Sequence, residues 1–465
     1  MTDFASLLVA DRGQPARLVH LVDKDGFAEW RKRQPAARRS LLDAVRFDGQ
    51  TPGQFAILPA EGDTIEVVAS VIDRAALSPW CLARLGEALP AGSYRLATGD
   101  PGAATLGWLL AQHRFDRYLS APVTPPEGHR VLVTSAAASV ARAVHVAAAT
   151  ALVRDLVDTP AADMGPADLE QVATDLAARF GATIEVTRGD ALVTGFPMIA
   201  AVGRGAERVR APRLIELHWG RATDPRIAII GKGVCFDSGG LDIKPAGGMR
   251  LMKKDMGGAA HALALAELIM AEKIPVRFHL LVPAVENSVS ATAFRPGDVI
   301  ASRLGLSVEI DNTDAEGRLV LGDALARAAE EEPVLMIDFA TLTGAARVAL
   351  GPDLPAMFAN DEPLASALEA AAREVGDPLW RMPLWDGYDD MLKSGIADLA
   401  NSSDSPFAGS VTAALFLRRF VPGAIPWAHF DTFAWRPVAK PGRPKGGEAL
   451  GLRAAFAMLV ARFAG

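Results

Sequence analysis

From about residue 166 the chain alternates between short apolar runs and helical segments, and this alternation restricts the fold more than any other feature. MIAAVG (198–203), RLIELHW (213–219), RIAIIG (226–231), FHLLVPAV (278–285), SVEID (307–311) and VLMIDFATLT (334–343) have the length and composition of strands. ADLEQVATDLAARF (167–180) reads as an amphipathic helix followed by the strand-like TIEVT (183–187), and GAAHALALAELIMAEK (258–273) and GDALARAAEEE (322–332) read as helices between strands. The pattern predicts an α/β fold with a mixed, mainly parallel sheet covered by helices on both faces.

The earlier part of the chain is less regular. QFAILPA (54–60) and TIEVVASVI (64–72) read as strands, and LSPWCLARLGEAL (77–89) and AATLGWLLAQHRF (103–115) as amphipathic helices, which predicts a smaller N-terminal α/β domain. PVTPPEGHR (122–130) reads as a loop. The alanine-rich stretch 135–158 has high helix propensity and stops at Asp158-Thr159-Pro160. The expected division is 1–134 for the first domain, 135–165 for a helix and connection, and 166–465 for the second domain. There is no internal repeat or low-complexity tract.

With 48 basic and 55 acidic side chains the net charge is −7, which disfavours a dedicated nucleic-acid binder. Residues 1–150 hold 16 Lys/Arg and 15 Asp/Glu, so the acidic excess lies in the second domain. Two cysteines cannot form a disulfide framework and point to a reducing compartment. The segment MTDFASLLVADRG lacks a basic start, and no run approaches the ~18 apolar residues a membrane span requires. The expectation is a cytoplasmic protein with neither signal peptide nor membrane helix.

Three polar, glycine-rich segments interrupt the second domain: GKGVCFDSGGLDIKP (231–245), MRLMKKDMGGAA (249–260) and DNTDAEGRLVLGDAL (311–325). Read as loops after strands, they can converge on one crevice at the strand ends. They offer Asp237, Asp255, Asp314 and Glu316. Bunched carboxylates raise each other's pKa unless a cation joins them, and oxygen-rich ligation suits Mg²⁺, Mn²⁺ or Zn²⁺. Taken singly, each acid could equally be a turn or cap residue. Rival motifs fail: Phe236 breaks a dinucleotide fingerprint, Ala315 breaks an EF-hand loop, and no Walker lysine or histidine-based zinc motif occurs.

These segments resemble the leucyl aminopeptidase family of dinuclear metallo-exopeptidases. NTDAEGRLVLGDAL (312–325) is similar to that family's signature. GKGVCFDSGG with IKP, KKDMGGAA, ENSVSATAFRPGDVI (286–300) and ATLTGA (340–345) follow in family order, with weaker similarity through SGIADLANSS, GSVTAALFLRRFV and WAHFD (427–431). The resemblance covers roughly 150–465. It implies a metalloaminopeptidase that hydrolyses N-terminal residues, leucine and other apolar ones, from short peptides, with 166–465 as the catalytic domain.

The resemblance also assigns roles. Lys232, as a neutral amine, and Asp255 would hold one Mn²⁺ or Zn²⁺ ion, and Asp314 the other. Asp237 and Glu316 would bridge the two ions. A bridging water would attack the carbonyl, Lys244 would stabilise the resulting oxyanion, and Arg318 would hold a bicarbonate that relays the proton. Met252, Asn312, Thr341, Leu342 and Gly344 would contact substrate, although a core methionine is an equally good reading of Met252. A homohexamer with sites facing an interior cavity is implied. Cys235 stands where the family often has Thr, as an extra soft ligand, an oxidation-sensitive thiol or a small buried filler. KGGEALGLR (445–453) follows the family's glycine-rich ending only loosely. The competing readings are a non-catalytic hexameric scaffold or DNA-binding protein of the same fold, for which WRKRQPAARR (30–39) is the one local basic cluster, and a different amide hydrolase on the same metal pair.

Overall fold

The computed structural model describes residues 2–60, 64–121 and 128–464, so the proline-rich part of the 122–130 segment lies outside the described residues. The chain forms two compact units. One comprises residues 1–151 and 438–445; the other comprises 152–437 and 446–465. The division at 151/152 falls inside the alanine-rich helix.

The first unit carries β1 (Leu8–Ala10), β2 (Arg17–Val22), α1 (Phe27–Lys32), α2 (Ala36–Ala44), β3 (Phe55–Pro59), β4 (Ile65–Ser70), α3 (Ala83–Ala88), β5 (Gly92–Leu96), α4 (Thr105–Leu110), β6 (Arg130–Thr134) and the start of α5 (Val140–Asp158). Its six-stranded sheet runs β1-β6-β5-β2-β4-β3, parallel except for the β3/β4 edge. The segment 103–115, expected to be amphipathic, instead holds a helix buried on every side from Thr105 to Leu110, with Trp108 donating Nε1–H to the Arg130 carbonyl at 3.0 Å. The basic cluster 30–39 spans α1 and α2, which break at Pro35. Residues 438–445 complete this unit: Gly442 N donates to Glu87 at 2.7 Å, and the Arg443 guanidinium lies 4.5 Å from the Trp80 ring centre.

The second unit continues with α6 (Pro166–Phe180), β7 (Thr183–Arg188), α7 (Gly189–Gly195), α8 (Pro197–Gly203), β8 (Arg213–Trp219), β9 (Arg226–Gly231), β10 (Gly233–Asp237), α9 (Ala246–Met249), α10 (Gly257–Ala271), β11 (Arg277–Asn287), β12 (Val299–Ala301), β13 (Ser307–Glu309), α11 (Glu316–Ala329), β14 (Leu335–Ala340), α12 (Gly344–Leu350), β15 (Ala356–Ala359), α13 (Glu362–Val375), β16 (Trp380–Arg381), β17 (Leu399–Ala400), α14 (Gly409–Arg418), β18 (Trp427–Asp431), β19 (Trp435–Arg436), β20 (Gly446–Gly447) and α15 (Leu452–Phe463). The main sheet runs β16-β15-β18-β14-β9-β11-β8-β7, with β10 also paired to β11. Its centre, β18-β14-β9-β11, is parallel, and β7, β8 and β15 bring antiparallel pairings to the edges. Ala228 and Ile230 of β9 pack into the cluster built by α8, α11 and α14, while α10 covers the opposite face. Helices therefore lie on both faces of a mixed sheet.

Two sequence expectations change. MIAAVG is not a strand but most of α8, and all of Met198–Gly203 is buried. A short run that is apolar on every side lacks the periodicity that separates helix from strand. What fixes it as a helix is distant: the Asp323 carboxylate of α11 accepts Met198 N at 2.8 Å and Ile199 N at 3.3 Å, capping the first turn, and also accepts Arg303 N at 2.8 Å. Asp323→Ala is therefore expected to destabilise the fold by about 2–3 kcal/mol in denaturant titrations, because it leaves these donors buried without an acceptor. Secondly, SVEID joins the separate β12-β13-β17 sheet rather than the main one.

Candidate metal centre

The first glycine-rich segment is half strand. β9 and β10 run along the same side of β11, interrupted only at Lys232. There Lys232 N–H donates to Phe339 O at the end of β14 (3.0 Å), and its carbonyl accepts Ala259 N–H (2.8 Å). Both backbone groups are thus tied to neighbouring elements, and the side chain is left to enter the crevice where β9 and β14 end. Close packing explains the flanking glycines. A Cβ on Gly258 would lie 2.1 Å from Phe339 O, and one on Gly317 would lie 2.7 Å from Lys232 Nζ. The second segment follows the short helix α9 rather than a strand, and Asp255 sits in the helical turn Met252–Met256. The third follows β13, and Glu316 and Arg318 occupy the first turn of α11.

All twelve residues singled out in the sequence line one cavity of about 620 Å³. Within it, Lys232 Nζ stands 2.8 Å from Asp255 Oδ2 and 2.9 Å from Glu316 Oε1. Lys244 Nζ stands 2.7 Å from Asp237 Oδ2 and 2.5 Å from Asp314 Oδ1. One oxygen from each of Asp237, Asp255 and Glu316 falls within 4.8 Å of the others. Asp255 Oδ2, Asp314 Oδ1 and Glu316 Oε1 are buried without a directed hydrogen bond, each facing a lysine ammonium. Inward-facing carboxylate oxygens that only cations neutralise are the donor set a pair of hard or borderline divalent ions requires, so the residues fit the metal pair.

Several positioning groups were not anticipated from sequence. Asn287 of β11 lies opposite Asp237 and donates Nδ2–H to its Oδ1 at 2.9 Å, alongside Gly239 N at 2.9 Å. Thr341 Oγ1 donates to Asp255 Oδ1 at 2.8 Å. Asn401 accepts Asp311 N through Oδ1 and donates Nδ2–H to Asn312 O, at 2.9 and 2.7 Å, while Asn312 Oδ1 accepts Asp314 N at 2.8 Å. Asp431, at the end of β18, accepts Leu342 N (3.0 Å), Thr343 N (3.1 Å) and Thr343 Oγ1–H (2.6 Å), fixing the loop after β14. Arg318 donates Nη1–H to Asn401 O at 2.8 Å, and its Nε is buried without a partner. Cys235 is buried away from the cavity and its thiol is pushed up by burial, which suits a filler. No residue of 445–453 lines the cavity.

The charges are strongly coupled. Burial, and then the neighbouring Asp237, push Glu316 up to about 8 and Asp314 up to about 6. Burial alone would lower Lys232, but Asp255 and Glu316 outweigh it and hold its ammonium above the usual lysine range. Burial pulls Arg318 down to about 10, still cationic at neutral pH. A cation must therefore expel protons from Glu316, Asp314 and Lys232 to bind. Mn²⁺ affinity is expected to rise roughly tenfold or more between pH 6 and pH 8 in calorimetric titrations with proton release, and a flat profile would contradict the coupling. The folded-state values of both acids lie above their unfolded ones, so metal-free stability falls as pH rises, from 3.8 to about 6 for Asp314 and from 4.5 to about 8 for Glu316.

An α/β sheet with clustered carboxylates and lysines in a cavity at its strand ends fits the class of metal-binding α/β enzymes. Residues 151–456 match the model of the cytosol aminopeptidase family, catalytic domain, and residues 18–132 match that of the M17 aminopeptidase N-terminal domain. The chain belongs to the cytosol aminopeptidase family. It is 44% identical over 362 residues to a probable cytosol aminopeptidase of Syntrophotalea carbinolica, covering 75% of this chain and 72% of the relative. The crystal structure of a cytosol aminopeptidase from Coxiella burnetii superposes with a TM-score of 0.92 at 44% identity, covering 98% of this chain and 99% of the other. The bottromycin maturation enzyme BotP in complex with Mn gives 0.86 at 32% identity, covering 96% and 100%. The family is one of metal-dependent aminopeptidases. No helix among the described residues is long and apolar enough to cross a membrane.

Proposed function

We propose that this aminopeptidase releases leucine and other apolar N-terminal residues from short peptides in the cytoplasm, as a homohexamer, with a pair of Mn²⁺ or Zn²⁺ ions held by Lys232, Asp237, Asp255, Asp314 and Glu316. The observation that carries this reading is the convergence of three buried carboxylate oxygens with no directed hydrogen bond on two lysine ammonium groups. Manganese in BotP and the likeness to a tomato leucine aminopeptidase mutant (TM-score 0.83, 27% identity, 98% of this chain and 96% of that one) support the metal and the substrate class.

When bound, the metal pair supplies Lewis acidity to the scissile carbonyl and acidifies water. The chain's own groups do the rest. Lys244, its ammonium reaching the cavity and kept charged by Asp237 and Glu316 against the effect of burial, meets the oxyanion that develops on the substrate carbonyl. Arg318, whose Nε has no hydrogen-bond partner, would hold a bicarbonate, which would supply a proton relay to a cavity whose lining contains no histidine. Met252 borders the pocket for the first side chain. Thr341, Leu342, Gly344 and Asn312 border the peptide.

The test is Leu-p-nitroanilide hydrolysis after chelator stripping. Activity should vanish, return with Mn²⁺ or Zn²⁺, and be absent on N-acetyl-Leu-p-nitroanilide, because the free amine is required. Hydrolysis of the blocked substrate, or full activity in Asp314→Ala, would overturn the reading.

A further inference from the structure

We propose that Lys254 and Arg347, both packed against the ring of Phe433, form a subsite for a carboxylate of the peptide substrate inside the cavity of the metal centre. The inference rests on the aminopeptidase reading above and deepens it by adding acidic substrates. The three residues come from three separate elements. Lys254 belongs to the helical turn Met252–Met256, Arg347 to the last turn of α12, and Phe433 follows Asp431, the last residue of β18, by two positions. All three line the cavity that holds Asp237, Asp255, Asp314 and Glu316. Lys254 Nζ lies 5.4 Å from the centre of the Phe433 ring, and the Arg347 guanidinium carbon lies 4.9 Å from it. Both fall within the ~6 Å over which a ring face attracts a cation.

These two cations differ from the other lysines of the cavity in what they face. Lys232 and Lys244 each meet two carboxylate oxygens between 2.5 and 2.9 Å. Lys254 is 5% exposed, yet its one ion pair among the described residues is with Asp255 Oδ1 at 3.7 Å, beyond hydrogen-bond reach. That oxygen already accepts Thr341 Oγ1–H at 2.8 Å. Asp431, a further acid beside this wall, has both oxygens engaged by Leu342 and Thr343. Arg347 is exposed, and its guanidinium rests on the Phe433 ring with no ion pair among the described residues. A buried ammonium with no acceptor in reach is costly, and a ring face offsets only part of that cost. A substrate carboxylate supplies the missing acceptor, and the guanidinium anchored on the same ring adds a second charge that attracts it.

Two carboxylates of a peptide could reach this wall. One is the side chain of an N-terminal Glu or Asp. Met252, assigned above to the pocket for the first side chain, lies two residues before Lys254 in the same helical turn. The other is the C-terminal carboxylate of a dipeptide, for which Arg347 is the exposed partner. The ring of Phe433 and the side chain of Met252 keep the wall partly apolar, so leucine remains acceptable beside an acidic residue.

The experiment compares ratios of kcat/KM, in which a general loss of activity cancels. Mn²⁺-loaded full-length protein is assayed on Glu-p-nitroanilide against Leu-p-nitroanilide, and on Leu-Gly against Leu-glycinamide. In the double variant Lys254→Met, Arg347→Gln, one of the two ratios is expected to fall roughly tenfold or more. Arg347→Gln alone changes an exposed side chain, so it tests the subsite even if the double variant fails to fold, and it should lower the same ratio roughly threefold. A fall in the first ratio places the carboxylate on the first side chain; a fall in the second places it at the C-terminus. Calorimetric titration with L-glutamate and L-glutamine needs no turnover. Tighter binding of glutamate that is lost in the variants supports the subsite even if Leu-p-nitroanilide is not cleaved, an outcome that counts against the aminopeptidase reading alone. Both ratios within about twofold of those of the unaltered protein, or no preference for glutamate in the absence of turnover, would overturn the proposal.

Discussion

Glu316→Gln is expected to lower kcat/KM for Leu-p-nitroanilide by roughly 10³-fold or more, about 4 kcal/mol of transition-state stabilisation. The substitution preserves shape and volume in a residue that is 1% exposed, so packing is not the source of the loss. What disappears is one negative charge among Asp237, Asp255 and Glu316. Stability should move the other way. The ionised carboxylate is disfavoured by burial and by Asp237, and a neutral amide removes that cost, so the metal-free variant should melt no lower than the parent. Activity within tenfold of the parent, with unchanged metal content, would remove Glu316 from the centre.

Glu448→Ala should be the most damaging single change to the fold, lowering unfolding free energy by about 3–5 kcal/mol. Glu448 is buried between two buried guanidiniums. Arg154 of α5 donates to it at 3.0 and 3.1 Å, and Arg436 of β19 donates Nε–H at 3.1 Å. Deleting the carboxylate leaves two cations facing each other with little water to screen them. Equilibrium denaturation should show the loss, with Glu448→Gln intermediate because the amide oxygen still accepts one donor. A change below about 1 kcal/mol would mean that water or another acid replaces Glu448.

The centre was legible because its chemistry forces rare residue combinations. Acids stand beside glycines whose Cβ would strike a neighbour, Pro283 at Gly233, Phe339 at Gly258 and Lys232 at Gly317, so the strings around 231–240, 253–260 and 312–318 stand out in the sequence. The long alternating stretch gave the sheet and its flanking helices for the same reason, since strand and helix periods differ. Other features were hidden by what they depend on. MIAAVG is helical because of Asp323, more than a hundred residues away. GVCFD looked like loop because its glycines accommodate close backbone approach rather than a turn, with Gly233 abutting Pro283 of β11. Asn287, Asn401 and Asp431 act through partners 26 to 89 residues distant, a relation that only the folded sheet creates. The strands β1, β2, β5 and β6 were not read from the sequence, although β2, β5 and β6 are as long as β3 and β4.

The small return of 438–445 into the first unit bears on synthesis. That unit includes Gly442 against Glu87 and Arg443 against Trp80, so residues 1–151 leave the ribosome without their last piece. The 286 residues from Leu152 to Pro437 must be made first. At ~5–20 residues per second this is a wait of roughly 15–60 s. During that interval the nascent N-terminal unit presents the surface later covered by 438–445.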